Sequence, residues 1–179
     1  MNKTEILKIL TILSQAYTNF DFGNNPQQDK IKRDLWHEML EDIDYKTAEK
    51  SVKKIISQNK FAPTIAEVRQ AVYEVNNPGE LTAGEAFEQV LSAVKKYGYM
   101  QEKKALESLP DRTALAVKAM GYQEICMATQ VDVVRGQFIK IYDQISEREQ
   151  KHEKLPENLK QEIQELSQVG EFPRLVKGD

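Results

Sequence analysis

The nine residues Lys60-Phe61-Ala62-Pro63-Thr64-Ile65-Ala66-Glu67-Val68 constrain this chain more than any other stretch, because they combine a forced corner with a marked helix start. Pro63 cannot continue an incoming helix, and it biases Ala62 away from the helical region. Thr64 and Glu67 then form a Thr-x-x-Glu capping box, in which each side chain satisfies an amide at the start of the next helix. A helix, a tight corner and a second helix are therefore required here.

Apolar spacing extends that reading in both directions. Ile6, Leu10, Leu13, Tyr17 and Phe20 recur at steps of three and four and predict a helix from Asn2 to about Asn19, with Asn2 and Glu5 as its cap. Asp21-Phe22-Gly23-Asn24-Asn25-Pro26 is rich in turn formers and reads as a loop. Ile31, Leu35, Trp36, Met39, Leu40 and Ile43 predict a second helix, about 27 to 42, packed on two sides. Asp44 caps a third, with Ala48, Val52, Ile55 and Ile56 inward and Lys46, Glu49, Lys50, Lys53 and Lys54 outward. After the corner, Ile65, Val68, Val72 and Val75 give a fourth, ending near Asn76-Asn77-Pro78-Gly79. That run is the strongest breaker in the chain, so the first domain is placed at 1–77.

A second domain is expected over 81–150. Thr82 and Glu85 form another capping box, Phe87, Val90, Leu91, Val94 and Tyr97 share a face, and Gly98 is the C-cap. A short helix over about 101 to 108 follows, then one from Pro110 to Met120 that stops at Gly121, then one or two turns over 122 to 128. The last strong helix, about 131 to 150, turns Val131, Val134, Phe138, Ile141 and Ile145 inward. From 151 to 179 a partly flexible tail carries a marginal helix with Leu159, Ile163 and Leu166 on one side, between Pro156 and Gly170. No strand-like alternation and no internal repeat occurs. The expected class is all-α: two small helical bundles joined by a short Asn/Pro/Gly linker, plus a marginal C-terminal helix.

Composition narrows the function. The 179 residues are 40% apolar and 30% charged with a net charge of -3, the balance of a helix-rich globular chain and a poor one for living on phosphate backbones. A single cysteine, Cys126, excludes an internal disulfide and a cysteine-rich zinc site and reads as a small buried hydrophobe. The opening MNKTEILKIL is too short in apolar residues for a signal peptide, and no run suits a membrane span, so a cytoplasmic protein with no membrane partner is expected. His37 and His152 stand far apart, no Gly-rich phosphate loop exists, and Glu38, Glu41, Asp42 and Asp44 bunch at a helix end as a solvated edge. No cofactor, metal or catalytic set is expected, and the chain does not read as an enzyme.

Three surfaces read as candidates for binding another macromolecule. The corner and its second helix have the form of a helix-turn-helix that would offer Glu67, Arg69, Gln70, Tyr73 and Glu74 to a groove, although one arginine against two glutamates favours a structural corner. Lys95, Lys96, Tyr97, Tyr99, Lys103 and Lys104 form the most basic and aromatic patch, suited either to nucleic acid or to complementing a helix C-terminus. The tail stripe of Leu159, Ile163 and Leu166 suits a groove on a partner, or docking back onto the chain's own second domain. Trp36, Phe138 and Tyr142 are placed in the core, and the row Lys46, Lys50, Lys53 and Lys54 on a solvated face.

The run Leu35-Trp36-His37-Glu38-Met39-Leu40, then Asp42-Ile43-Asp44, an Ala-x-x-x-Val-x-x-Ile-Ile helix and the Lys60 to Val68 corner resembles the phage replicative helicase loader and inhibitor family of Gram-positive phages over about residues 1–77. The resemblance implies an ATPase-free adaptor that binds a hexameric replicative helicase, holds it inactive and hands it to an origin-bound initiator protein in phage or prophage DNA replication, within the bacterial host. The alternative reading is a DNA-binding replication or regulatory protein.

Overall fold

The computed structural model describes residues 1–20 and 25–169. Among the described residues ten α-helices and one 3-10 turn account for the regular structure, no strand occurs, and the fold is all-α. The helices are α1 (Lys3–Ala16), α2 (Pro26–Leu40), α3 (Tyr45–Gln58), α4 (Ile65–Asn76), α5 (Ala83–Tyr97), α6 (Glu102–Glu107), α7 (Asp111–Met120), α8 (Tyr122–Met127), α9 (Val131–Glu153) and α10 (Glu157–Val169), with the 3-10 turn at Tyr99–Gln101. The chain divides into two compact units, Gly79–Lys151 and the remainder, and the division falls inside the Asn-Asn-Pro-Gly run. The chain from His152 groups with the first unit and not with the second. The first four residues of the expected loop, 21–24, and the loose end over 170–179 lie outside the described residues.

Each of α1 to α4 starts on a side chain that accepts an orphan amide. Asn2 with Glu5 and Thr64 with Glu67 form complete capping boxes, Asn25 accepts from Gln27 and Gln28 ahead of α2, and Asp44 accepts from Lys46 ahead of α3. Ile6, Ile9, Leu10 and Leu13 of α1 meet Trp36 and Leu40 of α2, Val52 and Ile55 of α3 and Val68 and Val72 of α4 in one core. Phe20 sits edge-on to Trp36 with ring centroids 5.9 Å apart. The Tyr17 hydroxyl donates to the carbonyl of Asn59 at 3.2 Å, tying the end of α1 to the corner. One expectation fails. Helix α2 packs on one side only, since Ile31 is 62% and Leu35 48% exposed. The apolar set spans too wide an arc: Trp36 and Leu40 take the core side, and no described element covers the Ile31 side.

The second unit is built on small residues that let helices approach closely. Ala86, Ala93, Ala105 and Ala116 are buried around Phe87, Phe138 and Tyr142, and Phe87 lies 5.3 Å from Phe138 by ring centroid. Tyr142 joins this core while Val131, expected inward, is exposed at the start of α9. Gly98 and Gly121 adopt φ of 62° and 93°, a region that L side chains rarely adopt, and so end α5 and α7 where the sequence placed their stops. The Tyr122 hydroxyl donates to the Gly98 carbonyl at 2.9 Å, and burial pushes its phenol up to about 12. Arg112 reaches Glu149 at 2.6 Å and also pairs with Glu80, fastening the start of the unit to α7 and α9.

Thr113 is fully buried on α7, and its hydroxyl oxygen has no hydrogen-bond partner. An unsatisfied buried hydroxyl costs about 1–3 kcal/mol. Thr113→Val, nearly the same shape, is therefore expected to stabilise the second unit by about 1 kcal/mol, seen as slower amide exchange in α7 and α9; equal or faster exchange contradicts the assignment.

Candidate functional site

Arg69 stands one residue after Val68, which is buried in the first unit's core, so α4 directs the Arg69 side chain along the flank facing the end of α2. Only 7% of the residue is exposed. Its guanidinium makes a bidentate pair with Asp42, 2.8 Å to each carboxylate oxygen, and donates to the Met39 carbonyl at 2.7 Å. Its Nε donates to the backbone carbonyl of Lys154, in the segment leading to α10. The backbone amide of Glu157, the first residue of α10, also acts on the Asp42 carboxyl. One buried arginine therefore joins α4, the C-terminal end of α2, the following turn and the base of the tail. Beside it, a groove of about 440 Å³ is lined by Asp42, Asp44, Thr47, Tyr73 and Asn76, and the Lys154 ammonium lies 5.3 Å from the Tyr73 ring centroid.

Burial alone would raise the Asp42 carboxyl, but the Arg69 hydrogen bond and charge, with the amides of Asp42 and Glu157, outweigh it and hold it below the usual 3.8. A depressed folded-state value contributes stability above pH 3.8, and that contribution is lost as pH falls through the folded value.

From this base α10 extends with its own face uncovered. Asn158 donates to the Glu38 carbonyl at 3.5 Å, and Leu159 is half-buried. From Gln161 to Leu166 every residue is exposed, Ile163 by 48% and Leu166 by 72%. Leu159, Ile163 and Leu166 fall at steps of four and three and so make one stripe, with Glu162 and Glu165 along one edge and Lys160, paired to Glu157 at 2.9 Å, on the other side. The tail is thus an amphipathic helix anchored at its base on the first unit.

The lysine and tyrosine patch lies wholly in the second unit. Lys95, Lys96, Lys103 and Lys104 are exposed, Tyr97 is half-buried against the core and Tyr99 is exposed, its hydroxyl donating to Gln123 at 3.3 Å. Lys96 and Lys104 both act on the Tyr97 phenol. Lys103 lies 3.9 Å from Glu107.

The corner helix does not present the residues a groove reader needs. Arg69 and Tyr73 are buried, Glu67 is engaged in the Thr64 cap, and Glu74 is held by Lys54 at 2.7 Å and Gln70 at 2.8 Å. Its one cationic residue is committed to Asp42. On α3, Lys53 pairs with Glu49 at 2.7 Å, as a solvated face does. His37 lies 3.8 Å from Glu41, His152 is exposed and Cys126 is partly buried against the second core. Among the described residues no group of three or more His, Cys, Asp or Glu side chains is placed to hold a metal, and no helix is long and apolar enough to cross a membrane. Sequence reasoning missed the Arg69 and Asp42 pair: nothing periodic marks a single charge pair across 27 positions.

The described fold and anchored helix define an all-α chain whose N-terminal bundle stands as a recognisable unit. Residues 1–69, that is 69 of the 179, match the family model for the N-terminal domain of a phage helicase loader/inhibitor. The N-terminal bundle is thus similar to a domain of phage DNA replication proteins that act on a helicase. No curated protein and no solved structure matches the chain.

Arg69 is buried but Asp42 keeps access to water, so removing the arginine loses hydrogen bonds to a charged group, about 1.5–3 kcal/mol, without stranding a buried carboxylate. Arg69→Met is accordingly expected to destabilise the first unit by about that amount in denaturation followed by Trp36 fluorescence, and to shift the backbone NMR signals of 154–160. In the unaltered protein the Asp42 carboxyl is expected to be protonated only as pH falls below 3.8, and the same signals are then expected to shift. A silent Arg69→Met variant contradicts the clamp.

Proposed function

We propose that this chain is a non-enzymatic adaptor that binds a hexameric replicative DNA helicase and controls its loading or activity during phage or prophage DNA replication, in the cytoplasm of the bacterial host. The observation that carries the reading is the match of residues 1–69 to the N-terminal domain of a phage helicase loader/inhibitor. The uncovered stripe of α10 supports it by supplying a surface: Leu159, Ile163 and Leu166 lie in an apolar groove of the helicase, whose basic rim faces Glu162 and Glu165. In this reading the clamp at Arg69 sets the direction of the helix, and an origin-bound initiator receives the helicase from the adaptor. No cofactor takes part.

Full burial of an isoleucine or leucine side chain contributes about 1.5–3 kcal/mol. Retention of the host helicase on the immobilised intact chain should therefore fall at least about tenfold for Ile163→Asp or Leu166→Asp, and stay unchanged for Lys50→Gln on the solvated face of α3. If the intact chain retains no helicase in mild salt, the adaptor reading is lost. If both α10 variants retain it fully, α10 is not the surface.

A further inference from the structure

The second unit carries a groove that the adaptor reading does not use. It runs between α5 and the turn joining α6 to α7, measures about 520 Å³, and has Ala93, Leu109 and Pro110 among its lining residues together with Ser92, Ser108 and Tyr97. Gln89 also lines it, and the side-chain carbonyl oxygen of Gln89 is buried without a hydrogen-bond partner. An acceptor in that state is satisfied by a ligand that brings an N–H, after a small rotation of the amide.

Lys96 lines the groove at its exposed lip, where Glu88 is also among the lining residues. The Lys96 ammonium lies 5.0 Å from the Tyr97 ring centroid, and Lys104 is close enough to act on the same phenol. The Tyr97 phenol sits below its ordinary 10.0, chiefly through the hydrogen bond with Lys96 and further through Ser108 and the charge of Lys104. Glu88, the carboxylate that lines the groove, lies 3.7 Å from Arg135 and is partly offset. Lys95 and Lys103, each one residue before Lys96 and Lys104, are exposed, and exposed Tyr99 and Met100 follow Gly98 on the 3-10 turn.

An apolar floor, an aromatic ring, a buried acceptor and nearby lysines make up the chemistry of one unpaired nucleotide. We propose that this groove binds single-stranded nucleic acid, one base resting on the floor beside Tyr97 with an N–H toward Gln89, and the flanking phosphates on Lys96 and Lys104. A base in a duplex keeps its Watson–Crick edge paired and cannot enter, so preference for single strands is part of the proposal. Helicase binding does not enter into it, since the residues are different and belong to the other unit.

The test is fluorescence anisotropy of the intact chain with a labelled mixed-sequence 20-nucleotide DNA, the RNA of the same sequence and the matching duplex, each across a salt series. Single strands of either kind are expected to bind at least tenfold more tightly than duplex, and more weakly as salt rises. Lys96→Gln with Lys104→Gln should flatten the slope of log affinity against log salt by about 1.4, two phosphates at about 0.7 each. Tyr97→Ala should weaken binding about tenfold while Tyr97→Phe retains it, which separates a lost ring from a lost hydroxyl. Gln89→Leu should reduce the spread among homopolymers of different bases. Lys50→Gln with Lys53→Gln on α3 should change nothing. Equal binding of duplex, equal competition by polyglutamate, an unchanged slope in the Lys96 and Lys104 variant, or no binding at low salt would each overturn the proposal.

Discussion

A guanidinium cannot be left unpaired out of water, and the first unit is arranged around that constraint at Arg69. Its planar fork needs acceptors in fixed directions, and they come from three separate stretches: Asp42, the Met39 carbonyl and the Lys154 carbonyl. Apolar packing of Val68, Val72, Trp36 and Leu40 brings α4 against α2 without fixing anything beyond Asn76. The arginine adds direction to that non-directional core. It brings the base of the tail to the end of α2, where the first amide of α10 helps keep the Asp42 carboxyl ionised. A lysine there would offer a point charge and could not hold the same acceptors in one plane.

The helix so anchored carries a surface that its own unit does not use. Ile163 and Leu166 face solvent at a cost that a chain with alternatives would avoid, and Ile31 and Leu35 on α2 do the same. Isolated exposed leucines are ordinary, but a stripe at helical spacing bordered by Glu162 and Glu165 has the form of one side of an interface. The match of the N-terminal bundle to a phage helicase loader/inhibitor domain suggests a class of partner for that side.

Local chemistry made much of the fold legible. Asn2, Asp44, Thr64 and Thr82 start their helices, and Gly98 and Gly121 end theirs, because caps and positive φ depend on one to four residues in sequence. The all-α class followed from the same signals. What could not be read were contacts that depend on which faces finally meet. Ile31 and Leu35 have the spacing of a buried stripe, yet no described element arrives to cover them. A groove reader needs Arg69 exposed, whereas the fold buries it against Asp42, 27 residues away in sequence. Helix α10 groups with the first unit, where Arg69 also donates to the Lys154 carbonyl just ahead of it. At the candidate sites the tail stripe and the basic patch were visible as residue types, whereas the buried oxygen of Gln89 and the meeting of Lys96 and Lys104 at Tyr97 required the folded second unit.

Helix α10 has to be anchored at its base and open along its face until a partner covers it. Amide hydrogen exchange of the chain alone and with the host helicase tests this most directly. Alone, the amides of 157–160 should be better protected than those of 161–166, and helicase should slow exchange across 159–166 more than anywhere on α3. Uniform protection along α10 before the helicase is added, or protection on addition that appears only outside it, would contradict the account.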